Sequence, residues 1–244
     1  MIDYGLHQIE LLKLKLTFFW GSETGDAHKH EGKHNEDAIF FTYSQHYFAM
    51  AIADGLGSCS KSAAGAQYAV TAFCHYIDEL FANGVINIER SHIWTFVQMW
   101  RHQFQSAMKD HDTTLQWVIF TNDYYFVGSI GDGIVCSKGQ TFYLFPQAKQ
   151  PFSNVTVSLT GCTEWSIQLS KRISEPMLLL TATDGIANDL QQEALPQLLQ
   201  YMEQQIVLDT VAFQQELQSW VKNWETAKHT DDRTIGILHI KGRE

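Results

Sequence analysis

Residues 49–58 read AMAIADGLGS. Five small apolar residues, Ala49 to Ala53, run into Asp54-Gly55; a flexible Gly/Ser loop follows, and a helical pattern starts near Ser62. A tight Asp-Gly hairpin would lead straight into another strand, so a turn alone does not explain what comes next. A carboxylate at the end of a buried strand is costly unless something cationic meets it. Glycine beside it lets a backbone carbonyl approach a cation closely. The pattern recurs in LLLTATDG (178–185), where Asp184 again precedes a loop and a helix. It recurs in FVGSIGDG (126–133), but Asp132 lies between two strand-like runs, and there a Gly-Asp-Gly hairpin accounts for it. Glu36 and Asp37, and Asp231 and Asp232, each read alone as solvated charge at a strand edge. Taken together, these acids from distant parts of the chain form one coherent set of oxygen ligands.

The chain has 244 residues, 45% hydrophobic, with seven Trp and fifteen Phe. This fits a single domain over 1–244 with a sizeable core, and excludes a disordered chain. The net charge is −10 and no basic stripe is visible, which sets nucleic-acid binding aside. Cys59, Cys74, Cys136 and Cys162 form no CxxC pair; reduced thiols in a cytoplasmic protein are expected. The stretch LLKLKLTFFW (11–20) is too short to cross a bilayer, and no membrane association is expected. It reads as the first strand, with Leu12, Leu14 and Leu16 on one face and Lys13 and Lys15 on the other.

Further along, 37–43 and 46–53 read as strands. A helix from Ser62 carries the stripe Val70, Phe73, Ile77, Leu80 and Phe81 and stops at Asn83-Gly84. A second helix, capped by Ser91, carries Ile93, Val97, Trp100, Phe104 and Met108. Strands are expected at 115–121, 124–130, 133–138, 141–145, 155–160, 165–170 and 176–183, with turns at Asn122-Asp123, Gly131-Asp132 and Lys138-Gly139. Two more helices follow. One is capped by Asn188 or Asp189 and carries Leu190, Ala194, Leu195, Leu198 and Met202. The other starts near Asp209 or Thr210 and carries Phe213, Leu217, Trp220, Val221 and Trp224. Residues 234–241 close the chain as a strand. Trp94, Trp117, Trp165 and Trp224 fit a core as readily as an interface. Each amphipathic helix pair needs a sheet face to cover. The expected fold is therefore α+β: a four-layer α-β-β-α sandwich, two stacked mainly antiparallel sheets each covered by a helix pair.

Carboxylate and carbonyl oxygens suit hard cations such as Mg²⁺ or Mn²⁺. Zinc would ask for His or Cys; His28, His30 and His34 cluster, but such a loop is more often simply exposed. Two cations about 3.5–4 Å apart can bridge an attacking water and a phosphate leaving group. No P-loop, GxGxxG or serine-nucleophile elbow argues for another chemistry.

NEDA (35–38), ADGLGS (53–58), GDG (131–133), TDGI (183–186) and DDRT (231–234) occur in the order and roughly the spacing of the PP2C (PPM) metal-dependent Ser/Thr protein phosphatases. GDAHKHEGKHNEDA (25–38) further resembles a divergent bacterial branch of that family. The resemblance spans about residues 20–240. It implies hydrolysis of phosphoserine or phosphothreonine in proteins by a metal-bridging water, with two Mg²⁺ or Mn²⁺ ions and a looser third. Asp54 would bridge both metals and Gly55 would lend its carbonyl; Asp184 and Asp231 would hold one metal, and Glu36 and Asp37 the other. Asp132 matches the acid that supports the third metal. The implied catalytic set is Asp54, Asp184 and Asp37.

The chain also departs from the family. Leu56 stands where many members carry a His proposed as general acid, and no Arg precedes the acid pair. Lys33, His28 and His34 are the candidates to meet substrate phosphate in its place, lysine as a point charge rather than a fork. Asp232 stands where Asn is common, and SLTG (158–161) stands where an acidic motif would be. The implied partners are a phosphoprotein substrate and a cognate Ser/Thr kinase. The alternatives are a catalytically weak module that binds a phosphoprotein or kinase, and a two-metal hydrolase of a small phosphoester or nucleotide.

Overall fold

The computed structural model describes residues 4–146, 156–173, 177–224 and 230–242. Among them are eleven strands: β1 (Tyr4–Glu10), β2 (Leu14–Glu23), β3 (Asp37–Tyr43), β4 (Tyr47–Asp54), β5 (Leu115–Thr121), β6 (Tyr124–Ile130), β7 (Ile134–Lys138), β8 (Phe142–Leu144), β9 (Gln168–Ile173), β10 (Met177–Ala182) and β11 (Arg233–Gly242). The helices are α1 (Asp26–Glu31), α2 (Ser62–Ala82), α3 (Arg90–Phe104), α4 (Asp184–Ala187), α5 (Leu195–Leu208) and α6 (Thr210–Lys222). One sheet runs β1-β2-β11-β10-β7-β8 and the other β3-β4-β5-β6-β9, with antiparallel neighbours throughout.

Strand β4 shows why the layers stack as they do. Phe48, Met50 and Ile52 face the other sheet and join Phe18, Val118, Leu179 and Leu238 in the central core. Ala49, Ala51 and Ala53 face outward, and their small side chains let α2 settle close, with Val70, Phe73 and Ile77 against them. Helix α3 completes that layer through Ile93, Phe96, Val97 and Trp100. On the far side α5 and α6 cover the six-stranded sheet with Leu199, Met202, Phe213, Leu217 and Val221 over Phe19, Leu180 and Ile237. This is the expected α-β-β-α sandwich.

Several local expectations are corrected. The LLKLKL stretch straddles a hairpin: β1 precedes it, Leu12 is 53% exposed at the turn, and β2 starts at Leu14. Helix α3 is capped by Glu89, not Ser91; the Glu89 side chain and that of His92 exchange capping bonds with each other's backbone. Its apolar stripe stops at Phe104, because Met108 lies in a 3₁₀ stretch, Gln105–Asp110. Residues 156–158 belong to no element and 159–161 make a turn, so no strand forms there, and Val155 lies outside the described residues. So does Pro176 before β10, as does the side chain of Trp165. After β10 the chain makes the short α4, for which Asn188 is the C-cap. The long helix starts only at Leu195, with Pro196 in its first turn where a missing N–H costs nothing. Helix α1 was not anticipated; it buries no residue and so shows no apolar period. Trp117 is core, 1% exposed, while Trp94 and Trp224 pack partly buried against theirs.

The largest correction concerns Asp132. Strand β6 belongs to the five-stranded sheet and β7 to the six-stranded one. Gly131-Asp132-Gly133 is therefore the crossing from one sheet to the other, not a hairpin.

Candidate metal centre

Antiparallel pairing gathers the acids at one end of the sandwich. Because β3 and β4 are antiparallel, Asp54 at the end of β4 sits opposite Asp37 at the start of β3. Likewise the end of β10, with Asp184 just beyond, lies beside the start of β11, with Asp231 just before it. The β6–β7 crossing brings Asp132 between the two, since β7 begins opposite Ala182.

Asp54, Asp132 and Asp184 each offer a carboxylate oxygen, and these lie within 4.8 Å of one another. They line a cleft of about 200 Å³ with His28, Glu36, Gly55, Leu56, Gly57, Thr114, Thr156 and Asp231. Five carboxylates face this space, and no Lys or Arg is among its described lining residues. Burial pushes the Asp54 carboxyl well above the usual carboxylate range, and the charges of Asp37, Asp184, Asp231 and Asp132 push it further. Burial, then Asp132 and Asp231, raises Asp184 to about 6. Such a cluster calls for a cation.

The acids are held by their surroundings. The Asp54 N–H donates to Thr114 Oγ1 at 2.9 Å, and the Asp54 carbonyl accepts from the Thr114 N–H at 2.8 Å and the Thr113 hydroxyl at 2.7 Å. The Thr156 hydroxyl donates to Asp132 Oδ2 at 2.6 Å. Gly55 is packed on the start of α2: a Cβ there would stand 2.7 Å from the Ser62 carbonyl carbon. Close packing, beyond any approach to a cation, thus requires the glycine.

The two acid pairs divide their work. Asp231 lines the cleft, whereas Asp232 turns inward and is 3% exposed. The Asp232 carboxylate accepts from the Gly25 N–H at 2.6 Å and the Glu36 N–H at 2.5 Å, and lies 3.0 Å from His28 Nδ1. It staples both ends of the 25–36 segment to the head of β11. Glu36 reaches the cleft, but Asp37 does not line it: its Oδ2 accepts the Thr183 hydroxyl at 2.7 Å behind Asp54. Burial pushes the Asp37 carboxyl up as well, against the Thr183 hydrogen bond and with the help of Asp232. Of the three residues expected to meet phosphate, only His28 lines the cleft. Lys33 is exposed and pairs with Glu31 at 2.7 Å, and His34 is exposed. The residues that reading by sequence missed are Thr114, Thr156, Thr183 and the inward role of Asp232. Their partners lie from 24 to more than 200 positions away, and no local pattern marks them.

The donor set fits a hard divalent cation. It is all oxygen, and the buried Glu36 Oε2 has no hydrogen-bond partner among the described residues, nor does Asp37 Oδ1 just behind the cleft.

The family described as Protein phosphatase 2C matches residues 24–222. The chain belongs to the protein phosphatase 2C family. No curated protein matches it in sequence. Among solved structures it is similar to Serine/threonine phosphatase Stp1 from Staphylococcus aureus, with TM-score 0.66 and 15% identity over 98% of this chain and 99% of that one. It is similar to the Mycobacterium tuberculosis serine/threonine phosphatase PstP/Ppp, with TM-score 0.65 and 16% identity over 93% and 99%. It is also similar to RsbX in complex with magnesium, with TM-score 0.60 and 13% identity over 97% and 100%. At these identities the likeness shows the fold that the family shares.

Proposed function

We propose that this chain is an Mg²⁺- or Mn²⁺-dependent phosphatase acting on phosphoserine or phosphothreonine in proteins. The observation that carries the reading is the convergence of Asp54, Asp132 and Asp184 in a cleft with two further carboxylates and no described Lys or Arg. Asp54, Asp132 and Asp184 would hold the ions, with Glu36, Asp231 and the Gly55 carbonyl completing the set. Asp37 would act from behind, by keeping Thr183 and the β4 end in place. Bound there, the ions supply neutralisation of phosphoryl oxygens and a water acidic enough to attack phosphorus near neutral pH. His28, fixed through its Nδ1 by Asp232, is the one nitrogen-bearing side chain among the described lining residues and the candidate to meet the substrate phosphate.

The test is hydrolysis of phosphoserine and phosphothreonine peptides with added Mn²⁺ and with EDTA. Turnover that needs Mn²⁺ is expected; equal rates in EDTA would sink the reading. One feature favours a second reading, a catalytically weak module that binds a phosphoprotein or kinase: Leu56 lines the cleft where a proton donor would be useful, and no described arginine does. Tight Mn²⁺ binding by calorimetry without turnover on peptides or small phosphoesters would select it.

A further inference from the structure

The segment Asp112-Thr113-Thr114 lies between the two walls of the cleft and is bonded to both. Toward one wall, Thr113 and Thr114 hold the Asp54 carbonyl, and the Asp112 carbonyl accepts the Leu56 N–H at 3.0 Å. Toward the other, the Asp112 carboxylate accepts from the Ser158 hydroxyl at 2.6 Å and the Thr160 N–H at 3.0 Å. The Thr113 carbonyl accepts the Leu159 N–H at 2.9 Å. The same turn is gripped from α3. Arg101 donates through Nε to the Leu159 carbonyl at 2.9 Å, and through one terminal nitrogen to the carbonyls of Thr160 at 3.0 Å and Cys162 at 2.6 Å. Carboxylate on its N–H side and guanidinium on its carbonyl side lock the 158–162 turn with charge-assisted bonds. Thr156, two residues upstream, carries the hydroxyl bonded to Asp132.

Resting on the proposed metal site, we propose that Asp112, braced by Arg101, is a positioning residue. Through the 158–162 turn it places the Thr156 hydroxyl, and through that Asp132, at the distance from Asp54 and Asp184 that the cation requires. Nothing in the local sequence HDTTL marks Asp112 for this role. Partners that orient a metal ligand in this way typically change metal affinity by about 10- to 100-fold when removed.

The experiment is Mn²⁺ titration by calorimetry, which needs no turnover, together with thermal melts in EDTA. Thr156→Val, which removes only the hydroxyl, is expected to weaken Mn²⁺ binding roughly 10-fold or more, and Thr156→Ser to restore it. Asp112→Ala is expected to weaken binding in the same direction. Asp112→Asn, which keeps an acceptor for the Thr160 N–H and can donate to Ser158, should stay near the parent. In the double variant Asp112→Ala/Thr156→Val the loss should match the larger single loss rather than the product of the two. Losses that multiply, or a lowered melt with Mn²⁺ affinity within about twofold, would assign Asp112 a merely structural role and overturn the inference. Should Asp112→Ala not fold, Arg101→Gln loosens the same turn from the helix side and decides by the same comparison with Thr156→Val. A parent chain that binds no Mn²⁺ would overturn the metal site itself. A parent that binds Mn²⁺, with variants indistinguishable from it, would overturn only the positioning role.

Discussion

Asp54 bears the conflict between fold and function most directly. It closes a buried strand, it faces Asp37 across the ladder, and burial together with its acidic neighbours disfavours its charge. Neutralising it should therefore relieve the metal-free protein while disabling the site. Asp54→Asn is expected to melt higher than the parent in EDTA, and to lose more of its Mn²⁺-dependent kcat/KM than the roughly 10- to 100-fold that orienting partners cost. Asp184→Asn should behave in the same way. A variant with lower stability in EDTA, or with parental activity, would contradict this account of the cluster. Asp231 and Asp232, adjacent and chemically identical, illustrate what a residue's neighbours decide. One faces the cleft, while the other spends its carboxylate on two backbone N–H groups and His28.

At the scale of elements, the β6–β7 crossing matters most. It passes between the sheets at a point with no spare volume. A Cβ on Gly133 would stand 1.6 Å from Gln116 Nε2 and 2.5 Å from the Ala182 carbonyl oxygen. Gln116 is itself committed, donating to that carbonyl at 3.2 Å and accepting the Thr181 hydroxyl at 2.9 Å. Gly133→Ala is expected to cost about 1–3 kcal/mol, the range for overpacked cores, read as a lower urea midpoint with an unchanged slope. Mn²⁺ affinity should fall with it, since Asp132 is the neighbouring residue. A neutral substitution would mean the crossing is looser than its contacts indicate. The four long helices, in contrast, were visible from their apolar stripes, and α6 starts where expected, at Thr210; Asp209 is its cap, accepting from Val211 N–H at 3.0 Å and Ala212 N–H at 2.9 Å.

For the whole molecule, stability should depend on pH in two opposed ways. Asp184 is raised to about 6, so the unfolded chain releases that proton first. Its contribution to stability is complete below the unfolded value of about 4 and is lost as pH rises through about 6. His239, 5% exposed, is lowered to about 4 by burial and Lys241. Its contribution is complete above the unfolded value of about 6.5 and is lost as pH falls through about 4. A divalent cation cancels only the first effect. Between pH 5 and 7.5 the melting temperature in Mn²⁺ should pull increasingly ahead of that in EDTA, while the His239 contribution falls away in both as pH drops from about 6.5 towards about 4. A gap that does not change with pH would show that the carboxyl cluster does not couple to the ion. The sequence by itself determined the sandwich class and the two helix layers and singled out Asp54 and Asp184, because a 3.6 or 2.0 residue period and a strand-ending Asp-Gly are local features. Only the tertiary structure decided that Gly131-Asp132-Gly133 crosses between sheets, that Asp37 stands behind the cleft, that Lys33 and His34 stand outside it, and that Asp112 ties its walls together. Those facts depend on which strands pair and which side chains meet across the fold, and neither leaves a period in the chain.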